Sequence, residues 1–205
     1  MDNYHYIVAS LPVLTPDSRL GDENPAAIMS AIREQLSAKD LSVLEFLEKG
    51  FDAESLDSSF YREALRHSNR FIREYFSFDL SVRNAKVRYL NSELGRPEGQ
   101  DTLDINGGED EEQIAVGEFE ESAKLDAVLN SGDILSRERG MDDLYWEKID
   151  GIATFDYFNL EAVLAFVTKL HIVERWYKLD EETGRRLFKQ LVDEVRGTFK
   201  GVEFN

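Results

Sequence analysis

Between Ser58 and Leu94 apolar residues recur at helical spacing for longer than anywhere else in the chain. Phe60, Ala64, Leu65, Phe71, Ile72, Tyr75 and Phe76 hold this spacing over about five turns, the signature of a helix with one buried face. After Asp79 the pattern resumes with Leu80, Ala85, Val87, Leu90 and Leu94, and it stops at Gly95-Arg96-Pro97. Asp57 or Ser58 is placed to cap the start. The expectation is two helices meeting near Asp79. A β-strand would alternate with period two, which this stretch does not do. With 4 prolines and 13 glycines in 205 residues, long helices go uninterrupted elsewhere too. The fold class expected is all-α, a multi-helix bundle.

Other segments carry the same punctuation. The apolar start, Tyr4 to Leu11, reads as a strand or a short helix tucked into the core. Asn24-Pro25 signals a helix start, because Asn caps free amides and proline is preset for the first turn. Ile28, Ile32 and Leu36 follow on one face. Ser37 with Asp40 opens another helix, with Leu41, Leu44 and Leu47 inward and an end near Gly50. Residues 98–117 are acidic, glycine-containing and aperiodic, and read as a loop between an N-terminal helical unit (1–97) and a C-terminal one (118–205), or as an excursion from one continuous domain. Helices are expected at Glu118–Leu129, Asp133–Glu138, Met141–Thr154, Phe158–Tyr177 and Glu181–Phe199. Asp180 caps the last of these, with Leu187, Leu191 and Val195 inward.

Charge and composition exclude several classes of function. The net charge is −17, and residues 98–126 alone hold 11 acidic groups against 1 basic. Such a chain repels phosphate backbones, so nucleic-acid binding is not expected. No apolar run approaches the ~20 residues needed to span a bilayer. Leu160 to Val173 comes nearest and carries Glu161, Lys169 and His171. The first basic residue is Arg19, which does not fit a secretory signal. There is no cysteine, hence no disulfide, zinc-thiolate site or cysteine nucleophile. A cytoplasmic location is expected.

Candidate chemical sites are sparse, and no catalytic residue or cofactor is expected. His171 and Glu174 form one reversed pair where a di-iron bundle needs two ordered pairs and two further carboxylates. Glu63 and His67, one turn apart, have no third ligand nearby. Asp104-Ile-Asn106-Gly-Gly-Glu109-Asp110 begins like a calcium loop, but Glu109 replaces the required glycine and Ala115 the closing glutamate. Asp142-Asp143 reads as a surface carboxylate pair. Two features suit protein contacts better. Arg62, Arg66, Arg70 and Arg73 form a basic stripe at spacings of 4, 4 and 3, read either as a solvated face pairing with Glu63, Glu74 and their neighbours or as a surface for an acidic partner, this chain's own 98–121 segment among the candidates. The aromatic clusters Tyr75-Phe76-Ser77-Phe78 and Phe155-Asp156-Tyr157-Phe158 are expected mostly in the core, and any member left exposed is a protein-binding anchor.

Ile72-Arg-Glu-Tyr-Phe76-Ser-Phe-Asp79-Leu-Ser-Val-Arg-Asn84-Ala-Lys86-Val-Arg88 resembles a motif of the C subunit (also called d) of V-type and A-type ATPases. Closely spaced Tyr4 and Tyr6 before a short apolar run add to the likeness, as does a weaker similarity over Phe166–Leu187. The chain also looks like a bacterial family of unknown function that accompanies V-type ATPase genes. The resemblance implies a shortened version of a funnel built from related helical units, with Asp79 and Asp156 at equivalent junctions. It further implies a non-catalytic subunit or accessory protein that links the central stalk to the membrane rotor. Its partners would be other ATPase subunits, and its location peripheral to the inner membrane through that complex. Tyr75, Phe76, Asp79, Asn84 and Arg88 are then the expected contact residues, with the arginine stripe second. A free-standing helical adaptor and a carboxylate-rich metalloenzyme are the alternatives.

Overall fold

A computed structural model describes residues 4–18, 24–106, 113–114, 116 and 119–176. The described residues are all-helical, with no strand. The elements are α1 (Tyr4–Ser10), α2 (Pro25–Gln35), α3 (Ala38–Lys49), a 3-10 turn (Ala53–Ser55), α4 (Ser58–Arg66), α5 (Arg70–Glu93), α6 (Ser122–Leu129), α7 (Ile134–Ala153) and helical residues 160–176, here α8. The helix expected at Glu181–Phe199 lies outside the described residues.

Local chemistry sets the helix starts. Asn24 accepts from the Ala26 amide (2.9 Å) with Pro25 in the first turn, and Ser37 accepts from Asp40 (3.2 Å). Asp57, not Ser58, caps α4 through the Phe60 amide (2.7 Å). Each cap satisfies an amide that the helix itself leaves unpaired.

The helix break falls elsewhere than expected. α5 runs unbroken through Asp79, and the interruption lies at His67–Asn69. Asn69 starts α5 by accepting from the Ile72 amide (3.2 Å), while Arg73 donates to the carbonyls of His67 (2.6 Å) and Ser68 (2.8 Å). The break thus has side-chain partners for one free amide of α5 and for the carbonyls of His67 and Ser68. Nothing around Asp79 lacks a helical partner, so nothing there ends the helix. Asp79 and Asp156 are therefore not equivalent junctions, since one lies mid-helix and the other in a turn. The segments expected at Asp133–Glu138 and Met141–Thr154 likewise join into one helix, α7, through Gly140. A β-carbon there would lie 2.9 Å from the Val128 side chain, so the glycine permits close approach of α6.

Two cores hold these helices. The larger gathers Ile7, Leu44, Phe60, Phe76, Ile149 and Leu164, among others, and draws on both ends of the described chain. The smaller joins α5, α6 and α7 through Phe78, Val82, Leu125, Leu129, Met141 and Leu144. α5 contributes to both, which makes it the central strut. It ends in a glycine cap: Gly95 has φ of 63°, its amide bonds Ser92 (3.2 Å), and the Arg96 amide bonds Asn91 (2.8 Å). Among the described residues no helix is long and apolar enough to cross a membrane.

Candidate functional site

The two aromatic clusters, alike in sequence, meet opposite fates. Tyr75, Phe76 and Phe78 are buried. Phe155, Tyr157 and Phe158 sit at the α7–α8 turn and are 86%, 67% and 49% exposed. Phe158 stacks on His5 of α1 with centroids 4.1 Å apart, and Tyr6 beside it is also exposed. Water contact of three rings within four residues costs hydrophobic free energy that burial against a partner would recover.

This turn is held in place. Asp156 accepts from Arg70 at the start of α5 and from Asn159 (2.6 Å), and Arg70 also donates to the Ile152 carbonyl (3.0 Å). Asn159 in turn caps α8 at the Ala162 amide (3.0 Å), and Asn69 reaches Glu161 (3.1 Å). The exposed rings therefore ride on a turn clamped to the central strut. Binding them would cost little ordering entropy.

Asp79 forms the second constellation. Its carboxylate accepts from the Tyr61 hydroxyl of α4 (2.5 Å) and the Tyr145 hydroxyl of α7 (2.6 Å), tying three helices together. Burial pushes the Asp79 carboxyl above its usual range, against the pull of the two hydroxyls, Arg83 and Lys86. Burial likewise raises Tyr61, Tyr75 and Tyr145, so all three stay protonated, and Tyr61 and Tyr145 remain donors to Asp79. A carboxyl raised in the fold contributes stability that is full below its unfolded value near 3.8 and lost as pH rises through its folded value. Wild type should therefore gain stability relative to Asp79→Asn as pH falls from neutral towards 4. Urea unfolding across that range checks this, and a constant difference between the two proteins would contradict it.

The remaining candidates are used internally to differing degrees. Arg62 and Arg66 lie on α4, Arg70 and Arg73 on α5, so the stripe spans two helices. Arg62 donates to the Ile105 carbonyl, and Arg70 and Arg73 make the bonds described above. Arg66 is exposed. Asn84 is occupied with the backbone of Leu103, while Arg88 is exposed. His171 stacks on Phe51 at 4.2 Å. His67 accepts from the Asn69 amide (3.0 Å), and burial lowers its pKa. Asp142 is buried and takes Arg175 (2.6 Å) and the Trp176 indole, whereas Asp143 is exposed. Asp104 accepts from the Asn106 amide (2.8 Å); Glu109, Asp110 and Ala115 lie outside the described residues. Among the described residues no group of three or more His, Asp or Glu could hold a metal.

Sequence reasoning missed Tyr61 and Tyr145 as partners of Asp79, and His5 as the partner of Phe158. No local pattern marks them, because the partners are 18, 66 and 153 residues apart.

The described residues form an all-α fold with an exposed aromatic turn. Residues 115–198 match the model of a family described as "Protein of unknown function (DUF2764)". No curated protein and no solved structure matches the chain.

Proposed function

We propose that the protein is a non-catalytic docking subunit, and that its setting is the one its sequence resembles, a V/A-type ATPase in which it links the central stalk to the membrane rotor. The observation that carries the docking role is the clamped turn with Phe155, Tyr157 and Phe158 in water. Large rings held rigid at a surface are the side chains that dominate binding energy at protein interfaces. A torque-transmitting part also needs stiffness, and the 24-residue α5 crossing both cores suits that need. The ATPase setting is supported by the Ile72–Arg88 resemblance. Of the contacts it implies, Arg88 is the exposed one, while Tyr75 and Phe76 act through the core they build.

The test is affinity purification of the tagged protein from its native host, with and without Phe155→Ser/Tyr157→Ser. ATPase stalk or rotor subunits should copurify with wild type. The double variant should lose at least about 2 kcal/mol of affinity, roughly thirtyfold, if these rings are hot spots. Recovery of other proteins in place of ATPase subunits would discard the ATPase setting and favour a free-standing adaptor. Undiminished recovery by the double variant would discard the aromatic turn as the interface.

A further inference from the structure

Between α1 and α2 lies an apolar groove of about 390 Å³. Buried Ile7 and Ile32 form its floor, Leu11 and Pro12 line it beside α1, and Ala27, Ile28 and Ala31 line it on α2. Ala27 and Ala31 are exposed and one turn apart, and side chains this small let a further helix lie close against α2. Val13, just past the α1 side, is 90% exposed. Apolar surface of this kind, left in water, favours an apolar cover.

The described residues leave off beside this region. Trp176 is the last of them in α8, and its ring lies 4.1 Å from the Arg139 guanidinium of α7. Arg139 also donates to the Pro16 carbonyl and pairs with Asp17, both at 3.4 Å. Pro16 is a few residues from Pro12 at the groove, a separation of at most ~14 Å. Residues 177–180 can span the same distance before the helix expected at Glu181–Phe199 begins. That stretch carries Leu187, Phe188, Leu191, Val192, Val195 and Phe199 on one helical face, with Arg186 and Asp193 opposite. A helix of its length measures ~28 Å, enough to cover all of the 11-residue α2.

We propose that residues 181–199 dock as an amphipathic helix in the α1–α2 groove of the same chain, covering Leu11, Val13, Ala27 and Ala31. The stripe matches the apolar lining of the groove. The tether at Trp176 delivers it there at a high effective concentration, which a second copy or a free partner does not have. Residues 19–23, the other stretch beside the groove, offer Leu20 as their single large apolar residue. Docked in this way, the segment joins the last part of the chain to its first two helices. This inference stands apart from the ATPase setting and from the aromatic turn.

Cysteine pairs test this without background, because the chain has no cysteine of its own. In the full chain, Ala31→Cys is combined with Leu187→Cys, Leu191→Cys or Val195→Cys, and separately with Asp193→Cys on the polar face. Under mild oxidation at least one of the first three pairs should close an intramolecular disulfide about tenfold faster than the Asp193→Cys pair, since only the apolar face comes within bridging distance. Mobility on non-reducing gels reads the result. No intramolecular crosslink in any of the three, or equal rates on both faces, overturns the proposal. Crosslinked dimers in their place assign the groove to a second copy and overturn it too. Trypsin digestion gives a second reading that needs no disulfide. Ala31→Glu puts a charge into the groove at an exposed position of a helix, so circular dichroism should be kept. Cleavage after Arg186 and Lys189 should then run about tenfold faster than in wild type, because the segment is released. An unchanged cleavage rate overturns the proposal as well.

Discussion

Gly50→Ala is expected to destabilise the protein by about 2–3 kcal/mol, the upper part of the range for overpacking a well-filled core. A β-carbon at this position would lie 2.2 Å from Cζ and 2.4 Å from Cε1 of Phe76, and 2.9 Å from Cζ of Phe60. Neither ring has room to retreat. Phe60 and Phe76 are both buried, they meet edge to face with centroids 4.9 Å apart, and Phe46 stacks on Phe60 at 5.0 Å. The backbone is not the obstacle, since Gly50 has φ of −73° and ψ of −7°, which alanine adopts freely. Alanine should even gain about 0.4–1 kcal/mol from a less flexible unfolded chain. The clash outweighs that gain. Thermal unfolding should fall by roughly 4–12 °C for a chain of this size. Phe76→Leu introduced into Gly50→Ala should cost less than Phe76→Leu in wild type, because it vacates the contested space. A Gly50→Ala protein as stable as wild type would refute this account of why the α3 helix ends on glycine.

The second large effect is expected at the Asp79 latch. Tyr61→Phe and Tyr145→Phe each remove a hydroxyl bonded to a carboxylate, at about 1.5–3 kcal/mol apiece. The double variant leaves the part-buried carboxylate without either hydroxyl, with only the Arg83 and Lys86 charges acting on it, and should lose more stability than either single variant. Asp79→Leu added to the double variant should restore stability, because an apolar trio leaves no polar group unsatisfied. Chemical denaturation of wild type and the four variants decides the matter. If the triple variant is less stable than the double, the carboxylate is not what makes the double variant weak. All three groups are internal to the bundle, so helical content before unfolding should stay unchanged.

Much of the helical framework was legible because it is decided locally. Asn24-Pro25 and Ser37 with Asp40 act within one turn of themselves, and the structure places helix starts at both. The break at His67–Asn69 was also signalled, since Asn69 is a capping residue, but the apolar period runs across it from Ala64 to Phe71 and concealed it. Asp79 misled in the opposite direction. Aspartate is a poor helix former, and its position after a dense aromatic run suggested a junction. In the fold its carboxylate is satisfied by two distant hydroxyls, so it sits comfortably mid-helix. The gap left between the helices expected at Asp133–Glu138 and Met141–Thr154 holds Gly140, which α7 runs through and whose missing side chain admits Val128 of α6.

The docking features were only half legible. The sequence named both aromatic clusters, and either one could have been the exposed member. Periodicity cannot separate them, because Phe76 and Phe155 present the same hydrophobic surface to a one-dimensional pattern. Burial depends on which helices lie over each ring. α5 is covered on several sides, whereas the α7–α8 turn ends at the surface. The acidic loop showed the same division. Its composition marked it as irregular, yet composition carried no sign that Asn84 and Asn91 would fasten its first residues to α5.

By itself, then, the sequence determined the all-helical class, the run of apolar residues that becomes the central strut, and the caps that begin α2 and α3. Each of these depends on free energies set by neighbours within a turn or two. The tertiary structure alone decided which aromatics face water, which hydroxyls hold Asp79, and where the loop lies. Those outcomes depend on contacts between residues from about 7 to 153 positions apart, whose strength exists only once the helices have packed.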